Sequence, residues 1–220
     1  IIKVKDGDKY VIEMVTTDIH RISVLTLKNF SLDIEGIDKG IVISGKNFTE
    51  LSKIFSETEN ADVAIDDDKM FITGNNVVFI SRLLKNEFPN YRTVIGGYAV
   101  IDSKDASLIN RKELVEGVKR VIALNSEEKI WATKFDFKGS VLSMTASSNF
   151  GGNSNDEMLV EKPFNIDKSV GINSRYLLDV LSVLDKQQVS IIVEEGLKPL
   201  TIKEETDNFY YVHMVMPLRM

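Results

Sequence analysis

The sequence predicts an α+β fold in which a unit of one helix plus three or four antiparallel strands is repeated along the chain. Three segments carry this prediction, because each runs from a short β-branched stretch into a Ser or Asn and then into apolar residues three and four positions apart. Ser and Asn are favoured helix N-caps. The three caps, Ser44, Asn110 and Asn173, lie 66 and 63 residues apart. A repeat too small to close its own core indicates a stacked or ring-like arrangement.

In chain order, the three helix segments are GIVISGKNFTELSKIF, ASLINRKELVEGVKRVIAL and SVGINSRYLLDVLSVL. In the second segment Glu113 follows Asn110 by three residues, which is the spacing of a capping box. Between the helices, β-rich stretches broken by turn residues predict strands. These stretches are ADVAIDDDKMFITGNNVVFISRLL, FDFKGSVLSMTASS and QQVSIIVEEGLKPLTIKEE.

Composition limits the class of protein. The chain has 220 residues, of which 43% are hydrophobic and 27% are charged, so it can bury one or two ordinary cores. No apolar run approaches the roughly 20 residues that span a bilayer, so no membrane contact is expected. The absence of cysteine excludes disulfides and thiol chemistry and fits a reducing compartment. We therefore expect a cytoplasmic globular protein.

Basic residues recur at one phase of the repeat. Lys46, Lys112 and Arg175 all fall in the first helical turn, where the helix dipole disfavours a cation. These residues can be explained simply as solvent-exposed charges. The more specific interpretation is that the three helix faces contact a shared polyanion. No aromatic residues are interleaved, so contacts with a nucleic-acid backbone rather than base stacking are expected. Because the net charge is −6, such binding has to come from a local surface. The candidate DNA-facing residues are Lys46, Lys53, Arg111, Lys112, Lys119, Arg120 and Arg175.

Two motifs that would indicate phosphate or metal chemistry are not supported. GIVISGKN nearly matches a phosphate-binding loop, but Asn47 stands in place of the magnesium-binding hydroxyl and Ile41–Ile43 reads as a strand. The acidic run Asp66–Asp68 is better explained as the turn of a hairpin than as a metal site. No cofactor and no metal are predicted.

The histidines do not indicate catalysis. His20 and His213 are the two histidines of the chain, and neither has a His or Cys partner at a zinc-binding spacing. Asp18, His20 and Ser23 are residue types of a catalytic triad. In an alternating strand, however, an ordinary hydrogen-bonded cluster is the better interpretation.

Five segments together resemble the bacterial sliding clamp, the β subunit of DNA polymerase III. In order they are TTDIHRIS, SRLLKNEFPNYRTVI, NRKELVEGVKRV, INSRYLLDVLSVL and YVHMVMPLRM. The resemblance implies a DNA-clamp fold of three similar domains per subunit, each made of two half-units. It also implies a homodimeric ring around duplex DNA, with helices lining the channel and sheets outside. Such a protein is a non-catalytic processivity subunit that holds DNA without sequence specificity.

The resemblance also implies a domain assignment. Residues 1–97 match most of the clamp's middle domain, which is then incomplete at its N-terminus, and 98–220 match the C-terminal domain. The boundary is expected near the pair Gly96-Gly97. Ring closure in the family uses a first domain that these 220 residues do not match.

In clamps, the C-terminal tail, the Asp-x-His-Arg segment and the Phe-Pro-x-Tyr segment form a pocket for a short apolar motif. The resemblance therefore implies binding of the polymerase α subunit, the clamp loader and other proteins that carry a clamp-binding motif. Met-rich walls suit a site that accepts several sequences. Thr93 stands where some clamps have arginine. The matching positions are Thr17, His20, Arg21, Ile22, Pro89, Val94, Pro199, Met214, Val215, Met216, Pro217, Leu218 and Arg219.

Two other functions remain open from the sequence. One is a clamp-like adaptor that binds peptides without encircling DNA. The other is a carboxylate-dependent nuclease or phosphatase that uses Asp66–Asp68, although the hairpin interpretation predicts no such activity.

Overall fold

A computed structural model describes residues 1–6, 9–28, 37, 39–95, 106–124, 129–149 and 151–219 of the chain. The residues form two compact units. Unit 1 consists of Ile1–Thr16, Val24–Ile95 and Asp207–Tyr210, and unit 2 of Thr17–Ser23, Gly96–Thr206 and Tyr211–Met220. The predicted boundary at Gly96-Gly97 lies outside the described residues.

Unit 1 is made mainly of antiparallel strands with one longer helix. Strands β1 and β2 pair antiparallel, and β3 lies beside β2. A second sheet has the order β4-β5-β6 and is also antiparallel. The elements are β1 (Ile2–Asp6), β2 (Lys9–Thr17), β3 (Arg21–Leu27), α1 (Gly45–Ile54), β4 (Asp62–Ile65), β5 (Lys69–Gly74), β6 (Val77–Arg82) and α2 (Tyr91–Ile95).

The core of unit 1 lies under β5. Met70 and Ile72 alternate with less buried residues along that strand and pack with Ile41. Leu51 and Phe55 bring the apolar side of α1 onto this cluster. The predicted strand at Ile41–Ile43 is not a regular strand, although the N–H of Ile41 donates to the carbonyl of Ile1 at 2.8 Å.

Unit 2 contains two helices and two sheets. One sheet has the order β10-β9-β8-β11, and in the other β14, β13, β12 and β7 are neighbours. Strands β3 and β14 contribute residues to both units. The elements are β7 (Ser107–Asn110), α3 (Arg111–Val121), a 3₁₀ turn (Ile122–Leu124), β8 (Ala132–Lys138), β9 (Val141–Ser147), β10 (Asn153–Leu159), β11 (Lys168–Asn173), α4 (Ser174–Leu181), β12 (Gln188–Ile192), β13 (Leu200–Glu205) and β14 (Phe209–Val215).

All three predicted helix caps are confirmed. The Ser44 hydroxyl accepts the N–H of Asn47, and the side-chain carbonyl of Asn110 accepts the N–H of Glu113, both at 3.2 Å. The side chain of Asn173 accepts the N–H of Arg175 at the start of α4. Each cap satisfies one of the backbone donors that a helix N-terminus leaves unpaired.

The core of unit 2 is formed by its helices together with both of its sheets, the β10-β9-β8-β11 sheet and the one that contains β7 and β12 to β14. Alternate residues of β8, among them Phe135 and Phe137, are fully buried against it. Helix α3 approaches this sheet closely at Gly117, where an added Cβ would lie 2.7 Å from the side chain of Met144. The other buried residues of α3 are Leu114, Val118 and Val121.

The strands predicted in the three stretches between the helices are confirmed, and the acidic run is a hairpin turn. The three strand-rich stretches contain β4 to β6, β8 and β9, and β12 and β13, respectively. Asp66–Asp68 connects β4 to β5, and the N–H of Asp66 donates to the carbonyl of Lys69 at 2.9 Å. The α+β prediction is therefore correct. Within the described ranges, no helix is long and apolar enough to cross a membrane.

Candidate functional site

A tight turn joins β2 to β3 and is held by its own side chains. One carboxylate oxygen of Asp18 accepts the N–H groups of His20 and Arg21, at 3.2 and 3.1 Å. The hydroxyl of Thr17 accepts the N–H of Ile19 at 3.2 Å and donates to the carbonyl of Arg21 at 2.8 Å. Asp and Thr side chains commonly fix turns in this way. We call residues 17–21 the site turn.

Arg21 connects the site turn to α4. Its Nε donates to the carboxylate of Asp18 at 3.0 Å, and its Nη1 donates to the carboxylate of Asp179 at 2.6 Å. The guanidinium carbon also lies 4.4 Å from the centre of the Tyr176 ring. An arginine held by two carboxylates and one aromatic face keeps a defined orientation. The Arg21 head is therefore a fixed part of the surface.

Tyr176 is a site residue that sequence reasoning missed. Its ring is stacked with that of His20, with 6.3 Å between centroids and an interplanar angle of 16°. It stands in the first turn of α4, directly before the buried Leu177. The signal available in the sequence was an aromatic residue directly after the basic Arg175, in the first turn of a helix with a predicted cap.

The C-terminal tail is tied to the site turn and to β11. The N–H of Met216 donates to the carbonyl of His20 at 2.9 Å. Two residues further on, the N–H of Leu218 donates to the carbonyl of Gly171 at 2.8 Å. The tail thus continues past the end of β14 as an ordered segment and brings Met216 next to the site turn.

Burial divides the predicted pocket residues of unit 2 into two groups. The exposed or half-buried residues can contact a ligand directly, whereas the buried ones support the surface from below. Met216 is 42% exposed. The exposed or half-buried set is Thr17, His20, Arg21, Met216, Pro217, Leu218 and Arg219, and the buried set is Ile22, Pro199, Met214 and Val215. Met220 lies outside the described residues.

The remaining two predicted pocket residues belong to unit 1. Pro89 and Val94 are both exposed there, and Val94 is in α2. The hydroxyl of Tyr91, also in α2, donates to the carboxylate of Glu13 at 2.5 Å. Burial and this carboxylate raise the pKa of Tyr91 to about 12. The phenol therefore stays protonated and anchors α2 to β2.

A buried histidine lies beneath the site turn. His213 in β14 is only 4% exposed, and its Nδ1 lies 2.6 Å from the hydroxyl of Ser23. The hydroxyl of Tyr211 donates to the same Ser23 oxygen at 3.1 Å. Burial, together with the positive charge of Arg21, lowers the pKa of His213 to about 4. The imidazole is therefore neutral at pH 7, and Ser23 is paired with His213.

The predicted basic positions recur in the structure. Lys46, Lys112 and Arg175 are each the second residue of their helix, and all three are exposed. On α3, Lys119 is seven residues after Lys112 and so shares its face, opposite the buried residues. On α1, Lys53 is exposed and pairs with Glu50 at 3.0 Å.

Three of the predicted basic residues also have partners within unit 2, and the guanidinium carbon of one of them, Arg175, lies 5.2 Å from the centre of the Trp131 ring. Arg111 donates to the carbonyls of Leu181 and Lys186, both at 3.0 Å, and so satisfies a carbonyl at the end of α4. Arg120 pairs with Asp156 of β10 at 2.7 Å. Substituting Arg111 or Arg120 would disturb packing as well as surface charge.

Two family models match the chain one after the other. Residues 2–90 match the model described as DNA polymerase III beta subunit, central domain. Residues 101–219 match the model described as DNA polymerase III beta subunit, C-terminal domain. The second match alone covers more than half of the 220 residues.

Curated relatives agree with these matches. The beta sliding clamp of Bacillus subtilis is 27% identical in an alignment of 206 residues that covers 92% of this chain and 52% of the relative. The beta sliding clamp of Rickettsia bellii is 29% identical in an alignment of 230 residues, gaps included, that covers 98% of this chain and 57% of the relative. The chain thus spans about half the length of the curated relatives it matches.

Solved structures agree with the fold. A sliding clamp from Bartonella birtlesii bound to griselimycin has a TM-score of 0.85 at 25% identity, covering 99% of this chain and 57% of that one. The sliding clamp from Bacillus subtilis has a TM-score of 0.81 at 25% identity, covering 99% of this chain and 55% of that one.

Proposed function

The chain belongs to the family of DNA polymerase III beta subunits, and from this premise we propose that it is part of a sliding clamp. Its role is to help surround duplex DNA and tether the replicative polymerase as a processivity factor, without catalysing a reaction. Replication takes place in the bacterial cytoplasm, which is the location that we propose. We assign residues 1–97 to a clamp middle domain and 98–220 to a C-terminal domain. The change from unit 1 to unit 2 after Ile95 supports this assignment, although Thr17–Ser23 belongs to unit 2 and Asp207–Tyr210 to unit 1.

The recurring cation at the second position of α1, α3 and α4 is the observation that carries the DNA-binding part of the proposal. A cation in the first turn lies at the positive end of the helix dipole and does not stabilise the helix. Helix stability therefore does not explain why a basic residue recurs at this position. The side chains at this position are exposed and so can reach a phosphate from solvent, and Arg175 also lies over the Trp131 ring. Contacts of this type neutralise phosphates and carry no sequence information.

A peptide-binding site is the second part of the proposal. The site turn, Tyr176 and Met216 together offer an ordered surface with apolar, aromatic and cationic groups. We assign to it the short apolar motifs of the polymerase α subunit, the clamp loader and other clamp-binding proteins. The ligand-bound relative from Bartonella birtlesii is compatible with this assignment.

Neutralising Lys112 and Lys119 together is expected to weaken duplex DNA binding and to reduce its salt dependence. Each lost phosphate contact lowers the slope of log affinity against log salt by about 0.9, so the double Gln variant is expected to lose about 1.8. Fluorescence anisotropy of a labelled duplex over a sodium chloride series measures the slope.

The matched control for this experiment is the double variant Lys134→Gln and Lys138→Gln. These two residues lie on the face of β8 opposite the buried Phe135 and Phe137, and the change in net charge is the same. The control is expected to keep the parental slope. Equal slopes in both double variants would refute a specific DNA-facing helix surface and favour the adaptor that does not encircle DNA.

A protein made of these 220 residues alone is expected to be monomeric and not to stay on circular DNA. Ring closure in the family pairs the first domain of one subunit with the third of the other, and these residues match the second and third. Sedimentation velocity over a concentration series measures the mass. A closed, ring-forming dimer of this polypeptide would contradict the domain assignment. A chain that also carries a first clamp domain is expected to be a homodimer.

A further inference from the structure

Arg175 lies over the only tryptophan of the chain. Its guanidinium carbon is 5.2 Å from the centre of the Trp131 ring, which is within the range of a cation–π contact. The Arg175 side chain is exposed, whereas Trp131 is half-buried and packs against the core of unit 2. One partner of the contact is therefore fixed by the core, and the other faces solvent.

Hydrogen bonds hold the start of α4 beside this tryptophan. The N–H of Ser174 donates to the carbonyl of Trp131 at 2.8 Å, and the buried hydroxyl of Ser174 donates to that of Thr133 at 2.7 Å. The side-chain carbonyl of Asn173 accepts the N–H of Arg175 at 3.2 Å. Because the first two bonds join α4 to β8 and to the residue before it, the backbones of Arg175 and Trp131 stay next to each other.

The contact with the ring leaves the charge of Arg175 available. Among the residues that the structure describes, no carboxylate pairs with its guanidinium, whereas Arg120 is paired with Asp156. A guanidinium can lie on an aromatic face while its N–H groups bind the oxygens of a phosphate. Trp131 therefore orients Arg175 without neutralising it.

The repeat supports the same interpretation. The second residue of α1 is Lys46 and that of α3 is Lys112, whereas α4 has arginine at this position, over the Trp131 ring. A lysine ammonium is a point charge on a flexible stem, but the planar guanidinium stacks on aromatic faces. The helix that begins beside a tryptophan thus carries the type of cation that stacks on it.

We propose that Trp131 is a positioning residue for DNA binding, which orients the guanidinium of Arg175 toward a phosphate of the duplex. The inference rests on the proposed DNA-binding function of the helix starts. An exposed arginine side chain loses rotamer freedom when it is fixed against a phosphate. Because the ring already restricts Arg175, this loss is smaller and the phosphate contact is stronger.

The test is a double-mutant cycle on Trp131 and Arg175, measured by fluorescence anisotropy of a labelled duplex over a salt series. Arg175→Gln is expected to lower the slope of log affinity against log salt by about 0.9. Trp131→Leu keeps the charge and is expected to weaken binding roughly two- to fivefold, the strength of an exposed cation–π contact. Trp131→Phe retains an aromatic face and is expected to bind more tightly than Trp131→Leu. The variant with both Trp131→Leu and Arg175→Gln is expected to bind as Arg175→Gln alone does.

A second measurement needs no substitution. Because Trp131 is the only tryptophan, its fluorescence emission can be followed in the parent chain. Saturating duplex is expected to reduce quenching of this emission by acrylamide, since the ring lies beside the residue that contacts DNA. Unchanged quenching at saturation would overturn the proposal, whatever the stability of the Trp131 variants.

The double Gln variant of Lys112 and Lys119 serves as the reference in the same assay. If it lowers the slope and Arg175→Gln does not, the role of Trp131 is refuted while the DNA-facing surface stands. An equal loss from Trp131→Leu in the parent and in the Arg175→Gln background would show that Trp131 acts independently of Arg175, which also overturns the proposal. If the parent chain does not bind the duplex at all, the proposed DNA-binding function fails and this inference fails with it.

Discussion

Truncation after Val215 is expected to abolish binding of a clamp-binding peptide while leaving unit 2 folded. Strand β14 ends at Val215, so the sheet and both helices keep their core. The deleted segment carries Met216 and the hydrogen bonds from Met216 to His20 and from Leu218 to Gly171. Loss of these groups removes the exposed apolar wall beside the site turn. Fluorescence anisotropy of a labelled peptide measures binding, and circular dichroism reports the fold.

Single substitutions in the tail are expected to act in the same direction. Met216→Ala removes an exposed side chain but no backbone hydrogen bond, and loss of an anchor of this kind commonly costs about 2 kcal/mol, roughly thirtyfold in affinity. Leu218→Ala is expected to weaken binding as well. Asp67→Ala, in the β4–β5 turn, is the control and is expected to leave affinity unchanged. A folded truncation that binds as tightly as the parent would mean that the tail only completes a sheet.

Acid is expected to destabilise the protein through His213 in the range between pH 6.5 and pH 4. The unfolded histidine has the ordinary pKa of 6.5, whereas burial and Arg21 lower the folded pKa to about 4. The unfolded state therefore binds more protons in this range, and stability is fully present above pH 6.5 and lost as the pH falls toward 4. The difference corresponds to about 3 kcal/mol at the acid end.

His213→Asn isolates this contribution. Asn carries an amide that can hydrogen bond with Ser23 but does not titrate. The variant is expected to be less stable than the parent above pH 6.5, because it fills less volume. Its stability is expected to change less between pH 6.5 and pH 4. Urea denaturation at both ends of the range measures the two free energies of unfolding. An equal pH dependence in parent and variant would show that other groups cause the acid sensitivity.

Helix caps and most strands could be predicted from the sequence because the residues that determine them are close together in the chain. The caps at Ser44, Asn110 and Asn173 were predicted from residue type and spacing, and each bonds to an N–H two or three residues further on. Strand alternation identified β4 to β6, β8 and β9 because one buried face imposes a period of two. The strand predicted at Ile41–Ile43 was not regular, since its backbone partners are single residues rather than a complete strand.

The sequence predicted the positions of the basic residues but not their partners. The recurrence of Lys46, Lys112 and Arg175 at one helical position was visible in the sequence and is present in the structure. The partners of Arg111 and Arg120 were not visible, because they lie on other elements. Spacing along the chain shows which basic residues lie in the first turn of a helix. It does not show which carbonyl or carboxylate group they bind after folding.

The sequence by itself determined the class of fold, the helix starts and most strands. Through the ordered resemblance to clamps, it also predicted the three segments that we propose for the peptide site. Only the tertiary structure decided how the site is completed. Arg21 forms a hydrogen bond with Asp179 at a sequence separation of 158 residues, and Ser23 with His213 at a separation of 190 residues. Such contacts depend on how sheets and helices pack, which local propensity and periodicity do not encode.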